Sequence, residues 1–153
     1  MFRRYAFAFL FAALAVNGAN PADVTGSWRL NVDRSVWGSR PKPVSVTLHI
    51  QHNEPALSYT GVVIYSGEDM RPFSFTGAID GKQYAMDRSL GPGTAVCRRV
   101  STAAFECVFR ASAGGAVEIT RTSIGADGKR LTRRVQLQSS EGNSTSTEIY
   151  DRQ

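Results

Sequence analysis

Val44-Ser45-Val46-Thr47-Leu48-His49-Ile50-Gln51 alternates apolar and polar residues without a break. Successive side chains of a strand point to opposite faces, so this octapeptide reads as a strand with one face buried and one in water. The same period of two recurs along the chain. It runs from Val24 to Asn31, Leu57 to Tyr65, Arg71 to Gly77, Thr94 to Val100, Phe105 to Ala111, Val117 to Ile124, Leu131 to Gln138 and Thr145 to Tyr150, with a shorter piece at Gln83 to Met86. Helical periodicity is nearly absent after the first residues.

Turn chemistry separates these segments at nearly even spacing: Asn53-Glu54-Pro55, Ser66-Gly67-Glu68, Asp80-Gly81, Gly91-Pro92-Gly93, Gly114-Gly115, Asp127-Gly128 and Glu141-Gly142-Asn143. Asp-Gly pairs supply the positive φ angles of tight hairpins. Short loops make consecutive strands antiparallel neighbours, which gives an all-β, up-and-down meander of nine or ten strands. Such a meander leaves unpaired edges unless it closes, and a barrel is the simplest closure, with a two-layer sandwich as the alternative. The one long irregular stretch is Val32 to Pro43, which carries Trp37 and three basic residues.

The N-terminus has the order of a secretory leader. Arg3 and Arg4 precede an unbroken apolar run from Tyr5 to Val16, followed by Asn17-Gly18-Ala19-Asn20. That run is too short for a hydrocarbon core of ~30 Å, which needs about 20 apolar residues. The expectation is a signal-peptide helix over residues 1–19, cut after Gly18 or Ala19 with Ala22 as the fallback, and one domain over 20–153, periplasmic or secreted and without a membrane anchor. Loss of Arg3 and Arg4 reduces 18 basic residues to 16 against 13 acidic ones, a mature charge of +3. The arginines are scattered along the chain, so they read as solvated strand faces, and nucleic acid is not an expected partner.

Catalytic and metal constellations are not visible. His49 and His52 stand three apart on one strand, so they face opposite ways, cannot share a metal and are expected in solvent. No Gly-x-Ser-x-Gly elbow or Cys/His/Asp cluster occurs, and no cofactor is expected. Cys97 and Cys107 flank a hairpin turn at Ser101 to Ala104. An exported chain favours a disulfide between them. Register opposes it: with Val100 opposite Phe105, Cys97 falls opposite Val108, and only a bulge or a one-residue shift joins the sulfurs. Both readings stay open.

Three arginines follow the apolar phase of their strands: Arg98 with Val96 and Val100, Arg121 with Val117 and Ile119, Arg133 with Leu131, Val135 and Leu137. A guanidinium inside a low-dielectric interior needs a partner. Together they suggest an anion clamp for the carboxylate of an amphipathic ligand, with Tyr59 and Tyr65 as hydroxyl donors. The competing reading turns these apolar residues outward, or pairs each arginine with an acid or an aromatic ring. Glu106 and Glu118 fall on the opposite phase of their strands, and Glu148 alternates with Tyr150.

Gly26-Ser27-Trp28 resembles the Gly-x-Trp signature of the lipocalins, with Trp28 as the plug of a barrel's closed end. The stretch Gly26 to Asn31, Ser35 and the C-terminal Ile149-Tyr150-Asp151-Arg152-Gln153 are similar to small exported bacterial proteins of lipocalin-like type. The resemblance implies a lipocalin-like barrel in which an arginine stacks across the tryptophan, and Arg133 is nearest by position. The Thr-Asp-Tyr motif of true lipocalins and a helix after the last strand are both missing. The resulting expectation is a non-catalytic barrel for a small hydrophobic or amphipathic molecule. A filled barrel acting as an envelope interaction module is the first alternative, and a cavity enzyme of isomerase or cyclase type is the second.

Overall fold

The computed structural model describes residues 19–88 and 90–153. Residues 1–18 of the expected signal segment lie outside them. Ten strands follow in order: β1 (Gly26–Leu30), β2 (Ser45–Asn53), β3 (Ala56–Ile64), β4 (Met70–Ala78), β5 (Gln83–Arg88), β6 (Gly91–Ser101), β7 (Ala104–Ala111), β8 (Val117–Ile124), β9 (Arg130–Ser139) and β10 (Gly142–Arg152). Each pairs antiparallel with its chain neighbours, and β1 pairs with both β2 and β10, so the meander closes. Closure leaves no strand without a neighbour on either side, although β4 and β5 pair only at Ser74–Asp87 and Phe75–Met86. The count is two above the eight strands of the lipocalin barrel.

The inward face of every strand except β8 and β10 carries mainly apolar side chains. Leu30, Val46, Leu48, Ile50, Leu57, Phe73, Phe75, Met86, Phe105, Phe109 and Leu131 form the buried core. Trp28 closes one end, 1 % exposed, with its indole N–H donating to the Val24 carbonyl at 3.1 Å. The arginine that stacks on it is Arg152, not Arg133: the Arg152 guanidinium carbon lies 4.3 Å from the ring centroid. Arg152 also donates to the carbonyls of Thr25 and Gly128, at 2.5 and 2.7 Å. Gly26 makes room for it. A Cβ there would collide with Arg152 Nη1, and the φ of +149° disfavours any other residue.

Residues 31–44 cross the other end. They contain no helix and are tied to β10 by a two-way backbone bridge between Val36 and Thr147, at 2.8 Å in each direction. Ser35 donates to the Asn31 carbonyl at 2.7 Å and accepts from the Ile149 amide at 3.0 Å. The segment is therefore a lid held by backbone and hydroxyl bonds.

The cysteine hairpin resolves through a bulge. Arg99, not Val100, stands opposite Phe105, and the register shifts between Arg99 and Ser101. That one extra residue brings Cys97 directly opposite Cys107, with their Cα atoms 4.1 Å apart and the sulfurs bonded. At the Trp28 end, His52 is not solvated. It shares the inward phase of Ile50, and its ring nitrogens lie 3.5 Å from Asp23 and 2.7 Å from Glu54. Arg99 completes that cluster through Glu54. His49 faces outward and bonds Ser27 Oγ at 2.8 Å.

Candidate functional site

The interior between Trp28 and the lid is not uniformly apolar. On β8 the phase is reversed: Glu118, Thr120 and Thr122 point inward and are buried, while Val117, Ile119 and Arg121 point outward. β9 contributes Arg133, β5 contributes Arg88 at its lid end, and β10 contributes Ser146, Glu148 and Tyr150. A polar wall therefore faces the apolar wall built by β2, β3, β4 and β7.

Two small cavities lie within this interior. The deeper, of about 20 Å³, is lined by Leu48, Ile50, Tyr59, Met86, Phe105 and Phe109 on one side and by Glu118, Thr120, Thr122 and Arg133 on the other. The outer, of about 40 Å³, lies under the lid and is lined by Trp37, Arg40, Pro41, Pro43, Tyr65, Arg88, Arg133, Glu148 and Tyr150, among others. One water needs roughly 10–15 Å³ on the same measure, so each holds a few waters at most.

The charged groups form two linked sets. Glu118, only 3 % exposed, accepts from Arg88 and lies 3.9 Å from Arg40, which reaches down from the lid and also donates to Ser146 Oγ at 3.2 Å. Thr120 Oγ1 donates to the same carboxylate at 3.3 Å. Glu148 accepts from Arg133 at 3.4 Å and from the Tyr150 hydroxyl at 2.8 Å.

Burial works against charge on Glu118, but Arg88 and Arg40 outweigh it and hold the carboxyl below its ordinary range. Burial likewise opposes the charge on Arg133, and Glu148 beside it more than compensates, so its pKa is raised. Burial, reinforced by Glu148, pushes the Tyr150 hydroxyl up. The lining therefore carries Arg40, Arg88 and Arg133 against Glu118 and Glu148, an excess of one positive charge. Two donors in the outer cavity, Arg88 Nε and Trp37 Nε1, are buried without a partner among the described residues.

The expected clamp does not converge. Only Arg133 points inward. Arg98 and Arg121 are exposed on the outer wall, where Arg121 lies 3.4 Å from Glu106. The physical reason is that Val96, Val100, Val117 and Ile119 are themselves outward residues, so following their phase leads to the outside. Tyr59 lines the deeper cavity with its hydroxyl 3.9 Å from the Met86 sulfur, and burial pushes that hydroxyl up. Tyr65 lines the outer cavity, and Arg71 sits 5.0 Å above its ring. Arg40, Arg88, Glu118 and Tyr150 were not among the candidates.

No protein-family model matches the chain, and no curated protein matches it. Solved structures do. The chain is similar to a Schistosoma mansoni fatty acid binding protein in complex with arachidonic acid, at 11 % identity and a TM-score of 0.57, over 85 % of this chain and 96 % of that one. It is also similar to the zebrafish ileal bile acid-binding protein complexed with cholic acid, at 12 % identity and a TM-score of 0.54, over 84 % of this chain and 98 % of that one. At such identities the likeness establishes the ten-strand closed barrel.

Proposed function

We propose that this chain is an exported, non-catalytic barrel that binds a small amphipathic acid, with the acid group under the lid and the apolar part against the β2, β3 and β7 wall. The observation that carries this reading is the electrostatic imbalance of the interior. Three arginines face two glutamates, and Arg88 Nε and Trp37 Nε1 are buried donors in the outer cavity that make no hydrogen bond among the described residues. An unpaired buried donor and an uncompensated buried charge are both costly, and a carboxylate in the outer cavity relieves both at once. The two similar barrels are complexed with arachidonic acid and cholic acid, an acid in each case.

Access requires movement. Ligand sites are typically about 300–1,000 Å³, far above the two interior volumes, so the lid over 31–44 and the side chains beneath it must part to admit a ligand. Trp37 and Arg40 belong to that lid and would close back onto the acid group. Export rests on the leader pattern of residues 1–19, and the Cys97–Cys107 bond supports it, because disulfides persist in oxidising compartments.

The small interior volumes also favour a second reading, a filled barrel that acts through its outer surface. Native mass spectrometry of the exported protein, followed by titration with matched fatty acids and fatty alcohols, separates the two. Acids should bind more tightly than alcohols, and Arg88→Gln should reduce that preference by about 1.5–3 kcal/mol, the range for hydrogen bonds to charged groups. Failure of every acid to bind would leave the filled barrel as the account.

A further inference from the structure

The outward arginines form a surface of their own. Cross-strand register places Arg98, Glu106, Arg121 and Arg134 in one row across β6, β7, β8 and β9. Two residues nearer the lid lies the row Val96, Val108, Ile119 and Gln136, and two further the row Thr94, Arg110, Val117 and Gln138. An apolar row thus runs between two rows that carry arginines. The four arginines are exposed, and Val96, Val108, Val117 and Ile119 are only half-buried. Val96 and Val108 floor a shallow groove of about 240 Å³ flanked by Arg98 and Arg110.

This wall has one acid for four arginines. Glu106 is within 4 Å of Arg121, whereas Arg98, Arg110 and Arg134 have no acidic partner that close among the described residues. Arg121 and Arg134 stand directly opposite each other on neighbouring strands, a like-charge placement that disfavours pairing. Residues scattered in sequence are therefore gathered by the barrel into a basic, partly apolar wall.

We propose that this wall docks on an anionic phospholipid surface. Charge complementarity names the sign of the partner, and the row between the arginines names its second property, contact with hydrocarbon. Four arginines on neighbouring strands ~4.8 Å apart span about 14 Å across the sheet, which suits a plane of many phosphates better than a single anion. A peptide joining as an extra strand is disfavoured, because the ten strands close on themselves.

Sedimentation of the purified protein with phosphatidylcholine vesicles, made with and without phosphatidylglycerol, tests this. Binding should require phosphatidylglycerol and fall with salt. Each arginine near an anionic surface is worth about fivefold in partitioning, so Arg121→Gln with Arg134→Gln should weaken it about 25-fold. Val108→Ser should weaken it without changing the charge. Because these side chains lie outside the barrel, circular dichroism should be unchanged, and Arg98→Gln on a different strand provides an independent variant. Three results overturn the proposal: equal binding to both vesicle types, loss of binding through Arg34→Gln and Lys42→Gln on the lid while the wall variants bind normally, and capture by polyglutamate but not by vesicles.

Discussion

The guanidinium of Arg152, the last residue of β10, sits over the indole of Trp28 on β1 at 4.3 Å, so these two neighbouring strands together seal one end of the barrel. Trp28 is fully buried, and Trp28→Ala should cost about 3–5 kcal/mol as a large-to-small core change. Arg152→Ala removes a cation–π contact and two carbonyl hydrogen bonds at an exposed site and should cost about 1–2 kcal/mol. Urea unfolding of the two variants checks the order. Equal losses would mean that the indole is not the main plug.

The strands could be read from alternation and turn residues because both are local properties, and the tryptophan plug from the Gly-x-Trp resemblance. Of the site, Tyr59, Tyr65 and Arg133 could be read and the rest could not, for three reasons. Arg88 lies just past the end of the recognisable Gln83 to Met86 alternation, so no phase could be assigned to it. Arg40 lies in the irregular lid. On β8 the residues Val117, Glu118, Ile119, Thr120 alternate cleanly, but which set is inward depends on the arginines across the barrel. Apolar Ile119 goes out to join Val96 and Val108, and Glu118 goes in to meet Arg88. The bulge beside Val100 is likewise invisible to period-two counting, although it decides the cysteine pairing.

That pairing has a measurable consequence. The Cys97–Cys107 link closes a short loop, with a sequence separation of 10, and chain-entropy arguments assign such a link about 2–4 kcal/mol. Replacing both cysteines with alanine should lower stability by that amount, and dithiothreitol should have the same effect on the wild type but none on the variant. If reductant leaves the wild-type unfolding curve unchanged, the bond contributes nothing.

Export gives a sharp expectation. Signal cleavage needs small residues just upstream of the cut, so the mature N-terminus should lie between Ala19 and Asp23. Ala22 donates its amide to the Thr102 carbonyl at 2.7 Å, and Asp23 lies against His52, so chain from Ala22 onward already belongs to the barrel. N-terminal sequencing of secreted protein decides it, and a product that retains Met1 to Val16 would exclude the leader.

Glu118 links stability to ligand choice. Its folded pKa is depressed, so its contribution is complete above the unfolded glutamate value near about 4.3 and is lost as pH falls through the lower folded value. Wild-type stability should therefore drop steeply below about pH 4, and Glu118→Gln should flatten that part of the profile. At neutral pH the variant leaves Arg88 without its anion, which should cost about 3–5 kcal/mol, the range for breaking a buried pair. The interior then holds three arginines against Glu148 alone, so an added carboxylate has more charge to neutralise. A fatty acid should recover part of the lost stability and bind Glu118→Gln more tightly than wild type, whereas the matched alcohol should do neither. Thermal unfolding of both proteins with each ligand measures this directly. Equal rescue by acid and alcohol would show that the apolar wall alone selects the ligand, and that the arginines serve only to hold Glu118 and Glu148 in place.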